Sequence, residues 1–482
     1  MSRPNIVLLV LDAVRADHLS CYGHDRQTTP NVDRLAERGV RYEHAFANSN
    51  WTGASHAVLF SGYLPSESGV YGDNMVLPEN VDLLAELLQN AGYRTFATSA
   101  GAHIRGERGY DRGFDSFHEM YRVRPQVEFV HKLLRDTSTL KQLAFSGIRG
   151  HDNYALYKFD RLQKWIRSGD DPFFAFVNCK TAHNPYNPPR PYKRAFCEQL
   201  ERPRYEFVER ALERLGRTPQ TVPGMDDARL ESLSRRFPII ADEFEPTAEE
   251  LDVLTAWYDG AIRYLDDRIG DFIDFLSRRG ELDDTYVIVT ADHGELFGEH
   301  GLEKHSYSLY EPVLQVPLVV DPPVDGPLDS QTVSEPVTLS DLYPTLLEFA
   351  GLTPPDRPHA DSFADTGRPP SDRHVFAEVG SKSAEPIRRH YPSFDGAEFD
   401  GPLQSVRDDR YKLIQGPDGR LELYDWRTDP EERQNLVDEK PAVVERLSSV
   451  VEAELQPMSD ASFQEDVTDP VLREHLEDLG YL

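Results

Sequence analysis

The stretch NIVLLVLD, residues 5–12, decides the fold class of this chain. Its six consecutive apolar residues, half of them β-branched, are typical of a central parallel strand that is covered on both faces. Asp12 follows at the carboxyl end of this strand, where open α/β sheets place their binding sites. An Asp at such a position can equally cap a turn, so the residue alone does not identify a site.

Two further apolar runs, FFAFVN at 173–178 and TYVIVT at 285–290, have the same character. Helical patterns separate the strands, the longest of them over 247–279, where Asp266, Asp267 and Asp271 are interpreted as a solvated face. The alternation predicts an α/β fold with a large mixed, mostly parallel sheet sandwiched by helices. Residues 188–244 lack a clear strand pattern and are interpreted as a surface insertion.

A change of pattern near residue 373 predicts a second unit. Residues 353–373 are dense in Pro, Asp and Arg, which is typical of a linker or a long surface loop. Short strands joined by turns and one closing helix follow. We therefore predict a catalytic domain over 1–373 and a small C-terminal subdomain, an antiparallel sheet with one helix, over 374–482.

The charge of the chain restricts its partners. The 482 residues include 83 Asp and Glu against 52 Lys and Arg, a formal net charge of -31. Nucleic acids and anionic membranes require a basic face, so both are disfavoured as partners. An acidic, well-mixed surface also predicts a protein adapted to high salt, where counter-ions screen the self-repulsion.

Cysteine usage and the N-terminal segment predict a cytoplasmic protein. Three scattered cysteines indicate neither a disulfide framework nor a cysteine-rich metal site. The apolar run at 6–11 is too short for a membrane span, and no small-residue cleavage site follows it.

The stretch NWTGASHAVLFSG, residues 50–62, carries the first candidate for chemistry. A polar cluster with a Gly precedes a short apolar helix that Gly62 ends, which places the cluster at a helix N-terminus. Free N–H groups and the helix dipole make that position attractive to an anion. Thr52 is a candidate nucleophile there, and the alternative is that Thr52 or Ser55 merely caps the helix.

The stretch ADHGE, residues 291–295, follows the strand at 285–290 and carries the second candidate. Asp292 and His293 offer an oxygen and a nitrogen ligand to one metal ion. A parallel sheet would bring them to the same edge as Asp12 and Thr52. A divalent ion held there would lower the pKa of the Thr52 hydroxyl and withdraw charge from an attacked phosphoryl or sulfuryl group.

Three histidines are candidates for contact with the ester. His56, His183 and His305 could bind its non-bridging oxygens or protonate the leaving group, because imidazole can act as an acid near neutral pH. A solvated or structural histidine is the alternative for each. Lys180 and Lys304, which lie in the same two loops as His183 and His305, are candidate substrate-binding residues.

At this point several segments together resemble the sulfatase family of the alkaline phosphatase superfamily. The segments, in family order, are 5–12, 50–65, Arg112 to Asp115, 291–295, Tyr310 to Leu318, 405–414 and 422–436. The resemblance implies an alkaline phosphatase-like fold and a metal-dependent hydrolase that cleaves a sulfate or phosphate ester of a small molecule or glycan. It also implies one divalent ion, Mn, Zn or Ca, bound by Asp12, Thr52, Asp292 and His293.

The departures from the family pattern narrow the predicted chemistry. Thr52 occupies the register of the Cys or Ser that sulfatases oxidise to formylglycine, and Thr cannot yield that aldehyde, so no formylglycine is expected. His56 replaces the Arg that steadies the nucleophile. Ala13 stands where many sulfatases have a second Asp ligand, and Ala100 falls near the position of their lysine. No His and Asp set for a second zinc ion is apparent.

With Asp292 and His293 in place of Asp-Asn, the site looks more like phosphonate monoester hydrolases and lipoteichoic-acid-synthase-like phosphotransferases. By position, Asn74 and His183 match substrate-binding residues of the phosphonate hydrolases, and His305 falls where they have a lysine. The prediction is direct attack by Thr52, with a phosphodiester or phosphonate-type ester favoured. The alternatives are a phosphotransferase with the same intermediate and a non-catalytic binding homologue.

Overall fold

The computed structural model describes three long parts of the chain. It covers residues 3–120, 152–197 and 246–458, apart from short gaps at 73, 100–102, 306, 382–386, 389–390, 392, 395, 397–398, 400 and 417–418, and it also covers Ser138, Lys141, Gln142 and Phe145. Ala100 and most of the predicted insertion at 188–244 lie outside the described residues.

The strands follow the apolar runs of the sequence. In chain order they are β1 Asn5–Leu11, β2 Val40–Tyr42, β3 Ala45–Phe46, β4 Arg94–Ser99, β5 Ser116–Glu119, β6 Phe173–Cys179, β7 Thr285–Thr290, β8 Leu296–Phe297, β9 Glu303–Lys304, β10 Gln315–Val316, β11 Leu318–Asp321, β12 Gln331–Val333, β13 Val337–Thr338, β14 Val375–Val379, β15 Leu403–Arg407, β16 Tyr411–Gln415 and β17 Leu421–Asp425.

In the described part of the chain, eight strands form the main sheet in the order β12-β2-β11-β7-β1-β6-β4-β5. The five strands from β7 to β5 are parallel, and β11 runs antiparallel to both of its neighbours. Strand β1 lies at the centre, with Leu8 level with Phe176 on β6 and with Ile288 on β7. The carboxyl ends of β1, β6 and β7 therefore meet at one edge of the sheet.

Helices cover both faces of this sheet. They are α1 Pro30–Arg38, α2 Thr52–Ser61, α3 Pro65–Ser68, α4 Leu84–Asn90, α5 Ala155–Ile166, α6 Arg190–Lys193, α7 Ala248–Arg279, α8 Glu311–Leu314, α9 Leu342–Phe349 and α10 Pro441–Glu454, with 3₁₀ turns at Ala16–His18, Ser20–Tyr22, Gly106–Arg108, Leu282–Asp284, Glu299–Gly301 and Leu339–Asp341. None of the helices in the described ranges is both long and apolar enough to cross a lipid bilayer.

Two ring contacts show that the sheet is sandwiched. Phe60 on α2 packs against Phe176 with ring centroids 4.9 Å apart, and Trp165 on α5 packs against Phe173 at 6.1 Å. Because side chains alternate along a strand, Phe173 and Phe176 project from opposite faces of β6. The predicted α/β class with helices on both faces is confirmed.

The long helix α7 forms as predicted, with one correction. Thr247 caps it by accepting from the N–H of Glu250, and Gly280 ends it with a φ of 70°. The prediction that Asp266 is solvated is wrong, because this carboxylate is 1% exposed and accepts from the backbone N–H groups of Asn31 and Val32. It therefore satisfies the free donors at the start of α1.

The C-terminal strands β14 to β17 form an antiparallel sheet in sequential order. Helix α10 packs on it through Leu447 and Val451, which share an apolar cluster with Val406, Leu413 and Leu423. The predicted small sheet with one helix is confirmed.

Buried charges join the C-terminal sheet to the segment that follows β9. Glu311 at the start of α8 binds Arg407 and Lys412, the latter at 2.8 Å, and Lys412 also binds Glu432 at 2.7 Å. Although burial opposes the shift, the two cations lower the pKa of Glu311 to about 2. This ion cluster fixes how the C-terminal sheet sits against the residues that precede it.

Candidate active site

Helix α2 begins at the sheet edge where β1 and β7 end. Thr52 is its first residue, Gly62 ends it with a φ of 73°, and every residue of the helix is buried. Neither hydroxyl caps the helix: the Thr52 Oγ1 lies 3.2 Å from Nε2 of His293, and Ser55 donates to the carbonyl oxygen of Asp292 at 2.6 Å. The capping alternative for Thr52 and Ser55 is therefore wrong, and Thr52 faces the residues after β7.

The packing around Gly53 explains why a glycine follows Thr52. A Cβ atom at Gly53 would lie only 2.3 Å from the Met75 sulfur, so a larger residue would displace Met75. The carbonyl oxygen of Gly53 accepts from the hydroxyl of Tyr110 at 2.8 Å. The first turn of α2 is thus held from two sides, which fixes the position of Thr52.

Asp12, Asp292 and His293 form a compact group of ligand atoms. One possible metal-ligand atom from each residue lies within 4.8 Å of those of the other two, and all three residues are at most 1% exposed. His293 donates from Nδ1 to the carbonyl oxygen of Gly294 at 2.9 Å, which leaves Nε2 as the lone-pair nitrogen on the side of the carboxylates. Nε2 lies 3.9 Å from Asp12 Oδ1 and 3.6 Å from Asp292 Oδ2.

The carboxylate oxygens of this group fit a divalent cation. Both oxygens of Asp12 and the Oδ2 of Asp292 are buried and accept no hydrogen bond from a backbone N–H group of the described residues. Asp12 therefore does not cap a turn. Burial and the neighbouring Asp292 raise the pKa of Asp12 to about 6. Orphaned buried carboxylates are costly, and a cation bound by two carboxylate oxygens and an imidazole would remove that cost.

The second oxygen of Asp292, Oδ1, is bound by backbone N–H groups. Oδ1 accepts from the backbone N–H of Ala13 at 3.2 Å and from that of His293 at 3.0 Å. Ala13 adopts a φ of 63°, a left-handed conformation that non-glycine residues rarely take. Its methyl group offers no ligand, so the described group has two carboxylates.

His183 and His305 lie beside His293. The His305 ring stacks on His293 with centroids 4.2 Å apart, and the His183 ring lies 5.1 Å from His305 and 6.4 Å from His293. All three rings are at most 1% exposed. His183 donates from Nδ1 to the carbonyl oxygen of Asn184 at 2.8 Å, and burial lowers its pKa well below the usual range. The structure thus brings both predicted loop histidines to the Thr52 side of the sheet edge.

Glu295 is a site residue to which the sequence interpretation assigned no role. Its Oε1 lies 3.1 Å from Nδ1 of His305, and its side chain is fully buried. Burial raises the pKa of Glu295 to about 8. Its position two residues after His293, just beyond the end of a buried strand, is the sequence feature that could have identified it as a site residue. Glu295 orients the His305 ring.

His56 is placed differently from the other two candidate histidines. It lies one turn after Thr52, donates from Nδ1 to the Thr52 carbonyl oxygen at 2.7 Å, and has that nitrogen 3.6 Å from Asp292 Oδ2. Phe60 and Phe176 enclose its ring, and burial lowers its pKa. His56 is a neighbour of Asp292 within the helix packing.

The two predicted lysines are both buried near the acidic group. Lys180, 6% exposed, interacts with Asp12 and Asp292, and burial lowers its pKa. Lys304, 4% exposed, interacts with Glu303 and Glu295, and burial lowers its pKa to about 8.

Asn74 uses its side chain within its own loop. It donates to the carbonyl oxygen of Gly69 at 2.7 Å and accepts from the N–H of Val76 at 3.3 Å. Through Met75, this loop packs against Gly53 behind the start of α2.

A second group of possible ligands was missed by the sequence interpretation. In the described part of the chain, one possible metal-ligand atom from each of His18, His24 and Asp259 lies within 4.8 Å of those of the other two. Asp259 binds His18 at 2.7 Å, His24 at 3.0 Å and Arg26 at 2.6 Å, so each carboxylate oxygen already has a partner. This group anchors the loop after β1 to helix α7.

Comparison with known proteins identifies the family. A family model for sulfatases matches residues 4–352, and a model for the C-terminal part of N-sulphoglucosamine sulphohydrolases matches residues 298–460. The uncharacterized sulfatase YidJ of Escherichia coli strain K12 is 25% identical over 457 residues, which cover 91% of this chain and 84% of that protein. The choline-sulfatase of Rhizobium meliloti strain 1021 is 25% identical over 466 residues, with coverage of 92% and 85%.

The fold has solved counterparts. The phosphonate monoester hydrolase of Agrobacterium radiobacter superimposes with a TM-score of 0.70 at 24% sequence identity, covering 94% of this chain and 96% of that one. Sulfatase family homologues hydrolyse sulfate esters and use a divalent metal ion. With the sulfatase model matched from residue 4 to residue 352, the chain belongs to the sulfatase family.

Proposed function

We propose that the protein hydrolyses an ester with a single negative charge, a sulfate ester, phosphodiester or phosphonate monoester, by direct attack of Thr52. The observation that carries this proposal is the position of the Thr52 hydroxyl. It lies at the start of a buried helix, 3.2 Å from the same His293 nitrogen that lies 3.9 Å from Asp12 Oδ1 and 3.6 Å from Asp292 Oδ2. A helix N-terminus favours an anion there.

Asp12, Asp292, His293 and the Thr52 hydroxyl would hold one divalent ion. Such an ion supplies Lewis acidity, which lowers the pKa of the Thr52 hydroxyl and draws charge from the ester. Ser55 holds Asp292 by donating to its carbonyl oxygen, and His56 packs beside the Asp292 carboxylate, with Nδ1 3.6 Å from Oδ2.

The charges of the site favour a monoanion. The carboxylates of Asp12 and Asp292 balance a divalent ion, and Lys180 adds one positive charge next to them. Lys304 is offset by the neighbouring Glu303, and Glu295, whose pKa burial raises to about 8, is neutral near pH 7, so these three residues add no net charge. One negative charge on the ester therefore completes the balance, whereas a phosphate monoester dianion would leave one negative charge unmatched in a buried site.

The reaction has two displacement steps. After the Thr52 hydroxyl has released its proton to solvent, the Thr52 oxygen forms a bond to sulfur or phosphorus while the bond to the leaving oxygen breaks, and Nε2 of His305 donates a proton to that oxygen. Glu295 holds His305 in orientation through Nδ1, which directs Nε2 away from Glu295. Water then attacks the Thr52 ester and returns one proton to His305, and the bond to the Thr52 oxygen breaks, which frees Thr52 for the next ester.

The proposal is tested with a panel of 4-nitrophenyl esters assayed separately with Mn²⁺, Zn²⁺ and Ca²⁺. The panel contains 4-nitrophenyl sulfate, bis(4-nitrophenyl) phosphate, 4-nitrophenyl phenylphosphonate and the dianion 4-nitrophenyl phosphate. At least one monoanionic ester should exceed the dianion in kcat/KM by roughly tenfold or more. Preference for the dianion, or no turnover with any ion, would contradict it.

A further inference from the structure

The turn that contains Asp12 has a backbone conformation that its sequence does not favour. The N–H of Val14 donates to the carbonyl oxygen of Leu11 at 3.1 Å, so Asp12 and Ala13 are the two central residues of a β-turn. Ala13, the second of them, has a φ of 63°. Turns with a positive φ at this position normally place Gly or Asn there, because a Cβ atom makes the conformation costly. The turn therefore needs contacts from other elements to hold it in this shape.

Both backbone polar groups of Ala13 make such contacts. Its N–H donates to Oδ1 of Asp292 at 3.2 Å, and its carbonyl oxygen accepts from the hydroxyl of Tyr258 at 2.7 Å. The same hydroxyl accepts from the N–H of Arg15 at 2.9 Å. The turn is thus held between helix α7 on one side and the segment after β7 on the other.

The ring of Tyr258 is held by its own packing. The residue is fully buried on α7, and its ring makes edge-to-face contacts at 4.9 Å, 5.8 Å and 5.1 Å with His18, Tyr186 and Phe297. The next residue, Asp259, binds His18 at 2.7 Å and so ties the same loop to the same helix. Removal of the Tyr258 hydroxyl would therefore leave the ring in place and release only the turn.

The shape of the turn sets how two candidate metal ligands face each other. Asp12 lies within the turn, and Asp292 receives the Ala13 N–H on Oδ1, while its Oδ2 lies 3.6 Å from Nε2 of His293. Rotation of Ala13 away from its positive φ would move Asp12 and withdraw that N–H from Asp292. One backbone conformation therefore fixes the positions of both carboxylates.

We propose that Tyr258 is a positioning residue for the metal site. Its hydroxyl holds Ala13 in the left-handed conformation that brings the Asp12 and Asp292 carboxylates together around one divalent ion. Non-glycine residues in such conformations persist only where the surrounding structure maintains them, and they cluster at functional sites. Tyr258 acts through the backbone of the turn and is not itself a ligand. The inference rests on the metal site of the proposed function.

The test measures ion binding by isothermal titration calorimetry on the full chain after bound ions have been removed with a chelator. Mn²⁺, Zn²⁺ and Ca²⁺ are titrated separately into wild type, and the ion that binds most tightly is used for the variants. Tyr258→Phe removes the hydroxyl and keeps the ring. Tyr264→Phe is the matched control, because Tyr264 is fully buried on the same helix and donates to Oδ2 of Asp152 at 2.6 Å instead of to the turn. Ala13→Gly, alone and combined with Tyr258→Phe, tests the role of the backbone conformation.

We expect Tyr258→Phe to weaken ion binding by about tenfold and Tyr264→Phe to weaken it by less than about twofold, although each variant loses one buried hydroxyl. In the Ala13→Gly background the loss caused by Tyr258→Phe should shrink to less than about threefold, because glycine adopts a positive φ without the steric cost. The melting temperature of the ion-free protein should fall by a similar amount in Tyr258→Phe and Tyr264→Phe.

Three results would overturn this inference alone: wild-type affinity in Tyr258→Phe, an equal loss of affinity in Tyr264→Phe, or an undiminished loss in the Ala13→Gly background. A wild-type protein that binds none of the three ions would overturn the metal site of the proposed function as well. Because the measurement is ion binding, an ion-bound protein that hydrolyses no ester counts against the proposed reaction and not against the role of Tyr258.

Discussion

Replacement of Thr52 by Val separates a nucleophile from a structural hydroxyl. Valine keeps the branched shape of threonine and removes only the oxygen. Thr52 is 4% exposed, and the hydrogen bond of its hydroxyl in the described residues is the 3.2 Å contact with His293. The free energy of unfolding should therefore fall by only about 1 kcal/mol.

The effect on catalysis should be far larger than the effect on stability. A nucleophile that forms a covalent intermediate has no substitute, so kcat should fall by at least about 10³-fold, which corresponds to about 4 kcal/mol of activation free energy. Thr52→Ser keeps the hydroxyl and should retain activity within about tenfold. Acid quenching of wild type during turnover should leave a sulfuryl or phosphoryl group on the peptide that contains residue 52.

Thr98→Val provides the matched control. Thr98 lies on β4, is fully buried, and its hydroxyl has no hydrogen-bond partner among the described residues. This variant should keep kcat within about twofold and lose no stability. The assay is initial-rate hydrolysis of the best ester from the panel, with urea unfolding followed by circular dichroism. A Thr52→Val enzyme that retains more than about a tenth of the wild-type kcat would refute the reasoning.

Further predictions concern the metal ligands, the positioning of His305, pH and salt. Asp292→Asn should reduce the bound divalent ion measured by elemental analysis, and a chelator should lower both the activity and the melting temperature of wild type. Glu295→Leu should lower kcat by about 10- to 100-fold, with a larger loss on alkyl than on nitrophenyl esters, because the poorer leaving group needs the proton from His305. The pKa of Glu311 is lowered to about 2 from a usual 4.5, so its contribution, on the order of 3 kcal/mol, is complete above about pH 4.5 and is lost as the pH falls toward 2. Urea unfolding of Glu311→Gln beside wild type should show a stability difference that shrinks over that range. The melting temperature should rise between low and molar salt, as expected for a net charge of -31, and a flat or falling value would contradict salt adaptation.

The sequence predicted most of the fold because the strands that build it are local patterns. The runs at 6–11, 173–177 and 286–289 are apolar throughout, and such runs are typical of central parallel strands that are covered on both faces. What the pattern could not predict was the burial of Asp266. A carboxylate on a helix is predicted to be solvated unless its hydrogen-bond partners are known. The partners of Asp266 are N–H groups of residues more than 200 positions away.

For the site, the sequence by itself determined which residues stand at the ends of strands and at the start of α2. That information selected Asp12, Asp292 and His293, and it placed Thr52 at a helix N-terminus. Only the tertiary structure decided what each side chain does there, because hydrogen-bond partners come from distant parts of the chain. In the structure, the Thr52 hydroxyl contacts His293 instead of capping its own helix, Glu295 contacts His305, and His56 lies beside Asp292. Strand ends are encoded locally, whereas the distances between them depend on the parallel register of β1 with β6 and β7, which no single segment specifies.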